Sequence, residues 1–452
     1  MKQHDHDRFE KDSLKILGEA LDVLERGFAK LPSPGADDPP YERIDDILKE
    51  TALRLRDNFP YFHPLYAGQM LKPPHPIARL AYMLALWINP NNHALDGGRA
   101  SSAMEKEAVA EIAQMVGWKD FLGHLTGGGT MANLEALWVA GRLHPGKVVL
   151  ASDQSHYTHR RMCDVLGLPF EMIPSDRAGR LDCAILEQRL ARGDVGTVVA
   201  TLGTTALGSV DPLPAILALQ KRFPFRLHAD AAYGGYFTLS SQLSKNTRQA
   251  FDLLHEADSV VIDPHKHGLQ PYGCGCVLFH DPAVGKFYRH DSPYTYFTSD
   301  DLHLGEISLE CSRAGASAVA LWATQKLFPL VKNGGFAQSL DRSRKAALHI
   351  YEFIRNDKRF IAGPEPELDI LVWALRAESV SDASEGARTL FRKAAENDLH
   401  LALAELPLHL LEIPSTMKRD QKRIVCLRSV LMKPEHADWA DRIWRIIDKT
   451  VG

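Results

Sequence analysis

The sequence predicts an α/β protein whose centre is a mainly parallel sheet with helices on both faces, followed by a smaller C-terminal α+β unit. Three observations carry this. From about residue 100 to 332, short runs of strand-forming apolar residues alternate with amphipathic helical stretches, the pattern of a sheet wound through crossover helices. Small and polar residues collect where those runs end, and ligands of such sheets gather at the carboxyl ends of the strands. Beyond the glycine pair of KNGGFAQ (332–338) the pattern changes. The 452 residues are too many for one simple core. They divide into an N-terminal helical arm (1–95), a large α/β domain (96–332) and a small α+β domain (333–452).

The elements follow in order. Residues 12–30 have helical periodicity and stop at LPSPGADDPP, a breaker segment. A second helix is expected at 41–57. YFHPLYAGQMLKPPHP holds too many prolines for a continuous helix and leads into one at 76–88. SAMEKEAVAEIAQMVG is helical, and HLTGGGTMANLEAL (124–137) runs from a turn through three glycines into a helix. The strand runs are KVVLAS, FEMIP, GTVVATLG, FRLHAD, SVVID and CGCVLF, with helices such as DCAILEQRLARG and LPAILALQKRF between them. After helices near 315–332 and 339–357, strands are expected in LDILVWAL, HLLEIP and RIVCLRSVLM, and a helix at 436–450 closes the chain.

Composition narrows the function. A formal charge of −4 with basic residues interspersed among acidic ones argues against nucleic-acid or membrane attraction. No apolar run reaches the roughly 18 residues that span a bilayer, and the start, MKQHDHDRFEKDS, is polar. A cytoplasmic protein is expected. Six cysteines are scattered without CxxC spacing, so reduced thiols are the default; Cys274 and Cys276 share a strand face and suit packing.

Residues 259–268, SVVIDPHKHG, place Lys266 just past an apolar strand, where an ammonium must stay solvated or find a partner. In FRLHADAAYGGYF, Asp230 ends a strand in the same way and requires a cation or strong donor. TGGGT brings small residues to a helix N-terminus, which suits a phosphate, and it lacks the GxxxxGK[ST] of a nucleoside-triphosphate loop. His156 leaves another strand; with His159 it could share a helical face for a metal, but no third ligand stands at a recognisable spacing. A phosphate cradle, an aspartate, a planar histidine and a lysine together ask for pyridoxal 5'-phosphate (PLP), whose aldehyde joins a lysine as a Schiff base.

DPHK (263–266), HADAAYGGY (228–236), TGGGTMANL (126–134), SHYTHRR (155–161) and GTTALGSVDPL (203–213) resemble the group II pyridoxal-dependent decarboxylases. The resemblance runs from HPLYAGQM near residue 63 to VCLRSVLMKPEH near 425. DPHK and GTTALGSVDP look particularly like the branch with archaeal tyrosine/aspartate decarboxylases and sphingosine-phosphate lyases. The resemblance implies the aspartate-aminotransferase-like fold (fold type I) with a seven-stranded, mainly parallel sheet. It also implies that Lys266 carries PLP, Asp230 pairs with the pyridinium nitrogen and His156 stacks on the ring. Gly128, Gly129 and Thr130 would hold the phosphate with His265, and Ala232 would pack on the ring face opposite His156. Thr204 and Thr205 would lie near the substrate or the ring hydroxyl. Relatives often carry Asn where Asp263 stands, and a carboxylate cannot make the amide contact to the phosphate that Asn would.

Tyr294 is the implied proton donor to the α-carbon, with Tyr296 and His156 as alternatives. Arg313 would bind substrate or a helix end. Arg428 stands where fold relatives bind an α-carboxylate, and Tyr66, Gln69 and Met70 lie in the segment that lines the substrate pocket of relatives. The implied reaction is decarboxylation of an L-amino acid to its amine and CO2 by a homodimer with sites completed across the interface. A retro-aldol carbon–carbon lyase and an inactive scaffold of the same fold are the alternatives. A transaminase, which needs a firm carboxylate clamp, fits the motifs less well.

Overall fold

The computed structural model describes residues 9–32, 35, 40–289 and 303–451. The N-terminal segment forms α1 (Ser13–Arg26), α2 (Tyr41–Leu55) and α3 (Pro76–Leu86). His75 caps α3 by accepting from the Ile77 N–H, and Pro76 opens the helix where no N–H is needed. α1 buries only Leu17 and α2 buries nothing, although both carry apolar side chains. Leu14, Ile16 and Val23 on α1, and Ile44, Ile47, Leu48 and Leu53 on α2, are exposed. Among the described residues no helix is long and apolar enough to cross a membrane.

The large sheet holds β1 (Leu122–Thr126), β2 (Val148–Ser152), β3 (Phe170–Ile173), β4 (Val195–Thr201), β5 (Arg226–Asp230), β6 (Ser259–Ile262) and β7 (Gly275–Phe279). Their spatial order is β1-β7-β6-β5-β4-β2-β3. β3 to β6 pair parallel through β2, β4 and β5, while β7 runs antiparallel to both β6 and β1. Every residue of β4, β5 and β6 is buried, as expected where helices cover both faces of a parallel sheet. Those helices are α4 (Leu95–Val116), α5 (Gly129–Leu143), α6 (Thr158–Leu166), α7 (Cys183–Leu190), α8 (Leu213–Gln220), α9 (Lys245–Asp252) and α10 (Gly315–Leu327).

A second sheet contains β8 (Phe360–Ala362), β9 (Ile370–Leu375), β10 (Ala402–Pro407) and β11 (Arg423–Val430), antiparallel in the order β10-β11-β9-β8. It packs with α11 (Gly335–Asn356), α12 (Val380–Ala395) and α13 (His436–Val451) around Trp373, Leu427 and Ile443.

Three local expectations change. The segment before the three glycines is the strand β1 rather than a turn, held because Glu105 accepts from the Leu125 N–H and β7 pairs along its length. HLLEIP is not a strand: Leu410, Leu411 and Ile413 serve the core from a short 3-10 turn and the loop after it. The strand lies just upstream at ALAELP, paired with β11 from Ala402↔Arg428 to Pro407↔Arg423. Its weak apolar signal reflects one exposed face, marked by Glu405. The short β8 had no recognisable pattern.

Candidate active site

Five strand ends of the large sheet converge on one cavity of about 350 Å³, lined by Gly128, Gly129, Thr130, His156, Asp230, Ala232, His265 and Lys266 among others. β1 delivers the glycines into the N-terminus of α5. Gly128 has φ 141°, open only to glycine. A Cβ on Gly129 would come within 2.5 Å of Asp263 Oδ2, so the bare backbone leaves this helix end open to an anion.

Asp230 ends β5. Its Oδ2 lies 2.8 Å from His159 Nε2, and its Oδ1 accepts from the Ala232 N–H at 3.1 Å. Burial alone would push the Asp230 carboxyl up; the His159 hydrogen bond and the nearby charges of His159 and Lys266 outweigh it and hold the group well below the carboxylate range. The carboxylate therefore stays ionised. His159, weighed from the sequence only as a metal ligand, is committed to Asp230 instead. The clue was available, because a buried aspartate needs a donor, but the two residues lie 71 positions apart.

His156 sits just before α6 with Nδ1 2.7 Å from Thr158 Oγ1. Burial lowers its pKa against the opposing pull of Asp230, so the imidazole is neutral at pH 7. Lys266 follows β6, and its Nζ lies 3.0 Å from the buried Asp263 Oδ2. His265 donates from Nδ1 to the Cys274 carbonyl at 2.8 Å, leaving Nε2 3.6 Å from the same Asp263 oxygen. Asp263, which sequence reading had marked only as a departure from relatives, is thus the partner of the lysine.

Several expected residues lie elsewhere. Thr204 is fully buried, and its Oγ1 accepts from the Ser209 N–H at 3.1 Å; Thr205 lines the cavity in its place. The turn after β4 is tied down by buried Asp211, which accepts from the Thr201 and Leu181 N–H groups at 2.7 Å each. Arg313 does not reach the cavity. It forms a buried ion pair with Glu105 at 3.1 Å and donates to the Leu125 carbonyl at 2.6 Å. Met70 packs against the core of the large sheet, and Tyr66 is buried.

Gln69 and Arg428 do line an adjoining cavity of about 510 Å³ that shares His156 and Thr205 with the first. Arg428 is buried and donates to Gln69 Oε1 at 3.0 Å, while its Nε and Nη2 have no partner among the described residues. Tyr294 and Tyr296 lie outside the described residues.

The sequence model described as the pyridoxal-dependent decarboxylase conserved domain matches residues 134–376, more than half of the chain. The chain belongs to the pyridoxal-dependent decarboxylases. Similar relatives include an L-tyrosine decarboxylase of Enterococcus faecium, 25% identical over 91% of this chain and 88% of that protein. A probable L-aspartate decarboxylase of Halobacterium salinarum is 30% identical over 69% and 85%. In fold, the chain matches the crystal structure of mouse CSAD with a TM-score of 0.78 at 22% identity, covering 96% and 91% of the two chains. It matches Oryza sativa TDC with PLP and tryptamine equally at 0.78, with 19% identity and coverage of 100% and 99%. The fold is therefore that of fold type I PLP enzymes, and the cofactor of this decarboxylase family is PLP. The residues fit it: a glycine cradle at a helix N-terminus for the phosphate, an ionised buried carboxylate for the ring nitrogen, and a lysine amine for the aldehyde.

Proposed function

We propose that this decarboxylase removes the α-carboxyl of an acidic L-amino acid, aspartate foremost, and that Lys266, Asp230 and His156 carry the reaction. The observation that supports the site is the shared cavity of lysine, anchored aspartate and glycine-opened helix end. Gly128, Gly129, Thr130 and His265 would hold the phosphate, Ala232 and His156 would flank the ring, and Asp230 would face its nitrogen. Bound there, PLP supplies an electron sink for the pair released when the carbon–carboxyl bond breaks. Asp230, kept ionised by His159, favours the cationic ring that makes the sink effective. Neutral His156 offers a flat face without a repelling charge. Tyr294 is our choice of proton donor to the α-carbon, with Tyr296 and His156 as alternatives.

The substrate class rests on Arg428. A leaving carboxylate gains nothing from a tight cation, because that contact stabilises the ground state against neutral CO2. A buried guanidinium whose Nε and Nη2 have no partner among the described residues, on a side chain that lines the adjoining cavity, therefore suits the carboxylate that stays. The relative named a probable L-aspartate decarboxylase supports the same class. Family membership favours decarboxylation over the retro-aldol and scaffold alternatives. We also propose a homodimer, because the exposed apolar side chains of α1 and α2 make a surface that a second copy would cover.

The test has two parts. Hydride trapping followed by peptide mass spectrometry should locate the cofactor on Lys266; finding it on another side chain would overturn the site. CO2 release from aspartate, glutamate, cysteine sulfinate and tyrosine should favour the acidic substrates, with Arg428→Met raising KM at least about tenfold, the loss of one charge-assisted contact. A preference for tyrosine that is indifferent to Arg428→Met would overturn the substrate class.

A further inference from the structure

A second large cavity, of about 610 Å³, shares no lining residue with either cavity described above. Its wall is mostly apolar, with Phe62, Leu269, Phe328 and Phe336 among its residues. Set into that wall are the side chains of Lys72, Lys433 and His267. Lys433 is 4% exposed, and its Nζ donates to the Tyr66 carbonyl at 2.7 Å. Lys72 Nζ donates to the Met432 carbonyl at 3.3 Å. These are the hydrogen bonds each ammonium makes among the described residues, out of three donors. His267 is 1% exposed; its Nε2 lies 3.2 Å from Asp369 Oδ2, and its Nδ1 has no partner among the described residues.

Two neighbouring ammoniums and an unpartnered imidazole nitrogen in an apolar wall are an electrostatic liability unless an anion completes them. Among the described residues, the acidic groups at hand only partly fill that role. Glu10 at the rim is paired with Arg79 at 2.9 Å, Asp369 lies behind His267 and is already bonded to the Tyr233 hydroxyl at 2.6 Å, and Glu435 is exposed. Burial pushes Lys433 down to about 7, with the charge of Lys72 adding to the shift, and burial pushes Lys72 down to about 8. Both directions are those of buried cations whose desolvation the pull of Glu435, and for Lys72 also of Asp369, does not offset.

We infer that this cavity is a binding site for a small amphiphilic anion, a carboxylate or phosphate head on an apolar body, and that its occupancy is felt at Lys266. The volume suits a ligand of that kind. The head would meet Lys72, Lys433 and His267, and the body would lie on the aromatic wall. The coupling follows from the chain: His267 is the residue after Lys266, and Leu269, also in the wall, holds φ 66°, a conformation that costs a leucine energy and that a ligand can shift. His267 is tied through Asp369 to Tyr233, which lines the cofactor cavity.

The site stands without the reading of Lys266 as cofactor carrier; the coupling rests on it. Calorimetric titration of the cofactor-loaded protein with phenylbutyrate should give binding tighter than about 1 mM. Lys72→Met and Lys433→Met should each weaken it about tenfold or more, and neutral phenylbutanol should bind as weakly as the variants. If Lys433→Met does not fold, Lys72→Met at the partly exposed position still decides. Binding that is absent, or that is unaffected by the lysine variants and lost instead in Arg428→Met, overturns the site. The visible absorbance of the bound cofactor should change on saturation with phenylbutyrate; measurable heat with an unmoved band overturns the coupling. A protein that shows no visible band before any addition would instead count against Lys266, leaving the calorimetry to judge the cavity.

Discussion

At the scale of single residues, the least expected finding is that the acid of the site depends on a histidine. Removing His159 leaves Asp230 buried with only one backbone donor, so its pKa rises towards what burial alone dictates. His159→Phe should weaken PLP affinity about tenfold or more in a spectrophotometric titration, whereas His159→Gln, which keeps a donor, should recover much of it. A second buried carboxyl acts through stability. Glu135 lies 3.0 Å from His124 Nε2 and is pushed up to about 8, chiefly by burial. A carboxyl whose folded pKa is raised adds stability that is complete below its unfolded value and lost as pH rises through the folded one. The melting temperature should therefore decline between about pH 5 and 8, and Glu135→Gln should flatten that decline. Lys266 and Asp230 were legible in the sequence because each polar residue ends an apolar run. The partner of Asp230 and the choice of Thr205 over Thr204 were not: His159 lies 71 positions from Asp230, and Thr204 is turned inward by its bond to Ser209 within the turn.

At the scale of elements, glycines and buried pairs set where the strand ends point. Gly129→Ala would drive a methyl group against the Asp263 carboxylate, beside the lysine it partners. Cofactor affinity should fall at least about tenfold while the secondary structure seen by circular dichroism is kept. Arg313 shows how a plausible site residue turns out to be structural. It joins Glu105 of α4 to the Leu125 carbonyl of β1, the strand that launches the glycine turn. Arg313→Met should cost about 3–5 kcal/mol in a denaturant melt by stranding a buried Glu105, with no change in the ranking of substrates. The strands that alternate or run fully apolar were readable; β1, β8 and β10 were not, since their pairing comes from neighbours rather than from their own composition.

For the whole molecule, the arm of α1 and α2 carries apolar residues with little to bury them against in one chain. Sedimentation should show a dimer, and charged substitutions at Ile47 and Leu48 should dissociate it; a fully active monomer would contradict this reading. The second cavity belongs to the same scale, since it draws its wall from the segment before α3, the loop after Lys266, α11 and the segment before α13.

By itself the sequence determined the class of sheet and placed a lysine and an aspartate at the ends of its strands, because periodicity and the cost of stranding a charge beside an apolar strand are local properties. Tertiary structure decided which donor steadies Asp230, which threonine faces the cavity, that Arg313 is a brace, and that Arg428 keeps free nitrogens beside the site. Apart from the threonine, turned inward by Ser209 five positions on, those outcomes depend on distances between residues tens to hundreds of positions apart, and such distances exist only once the strands have paired.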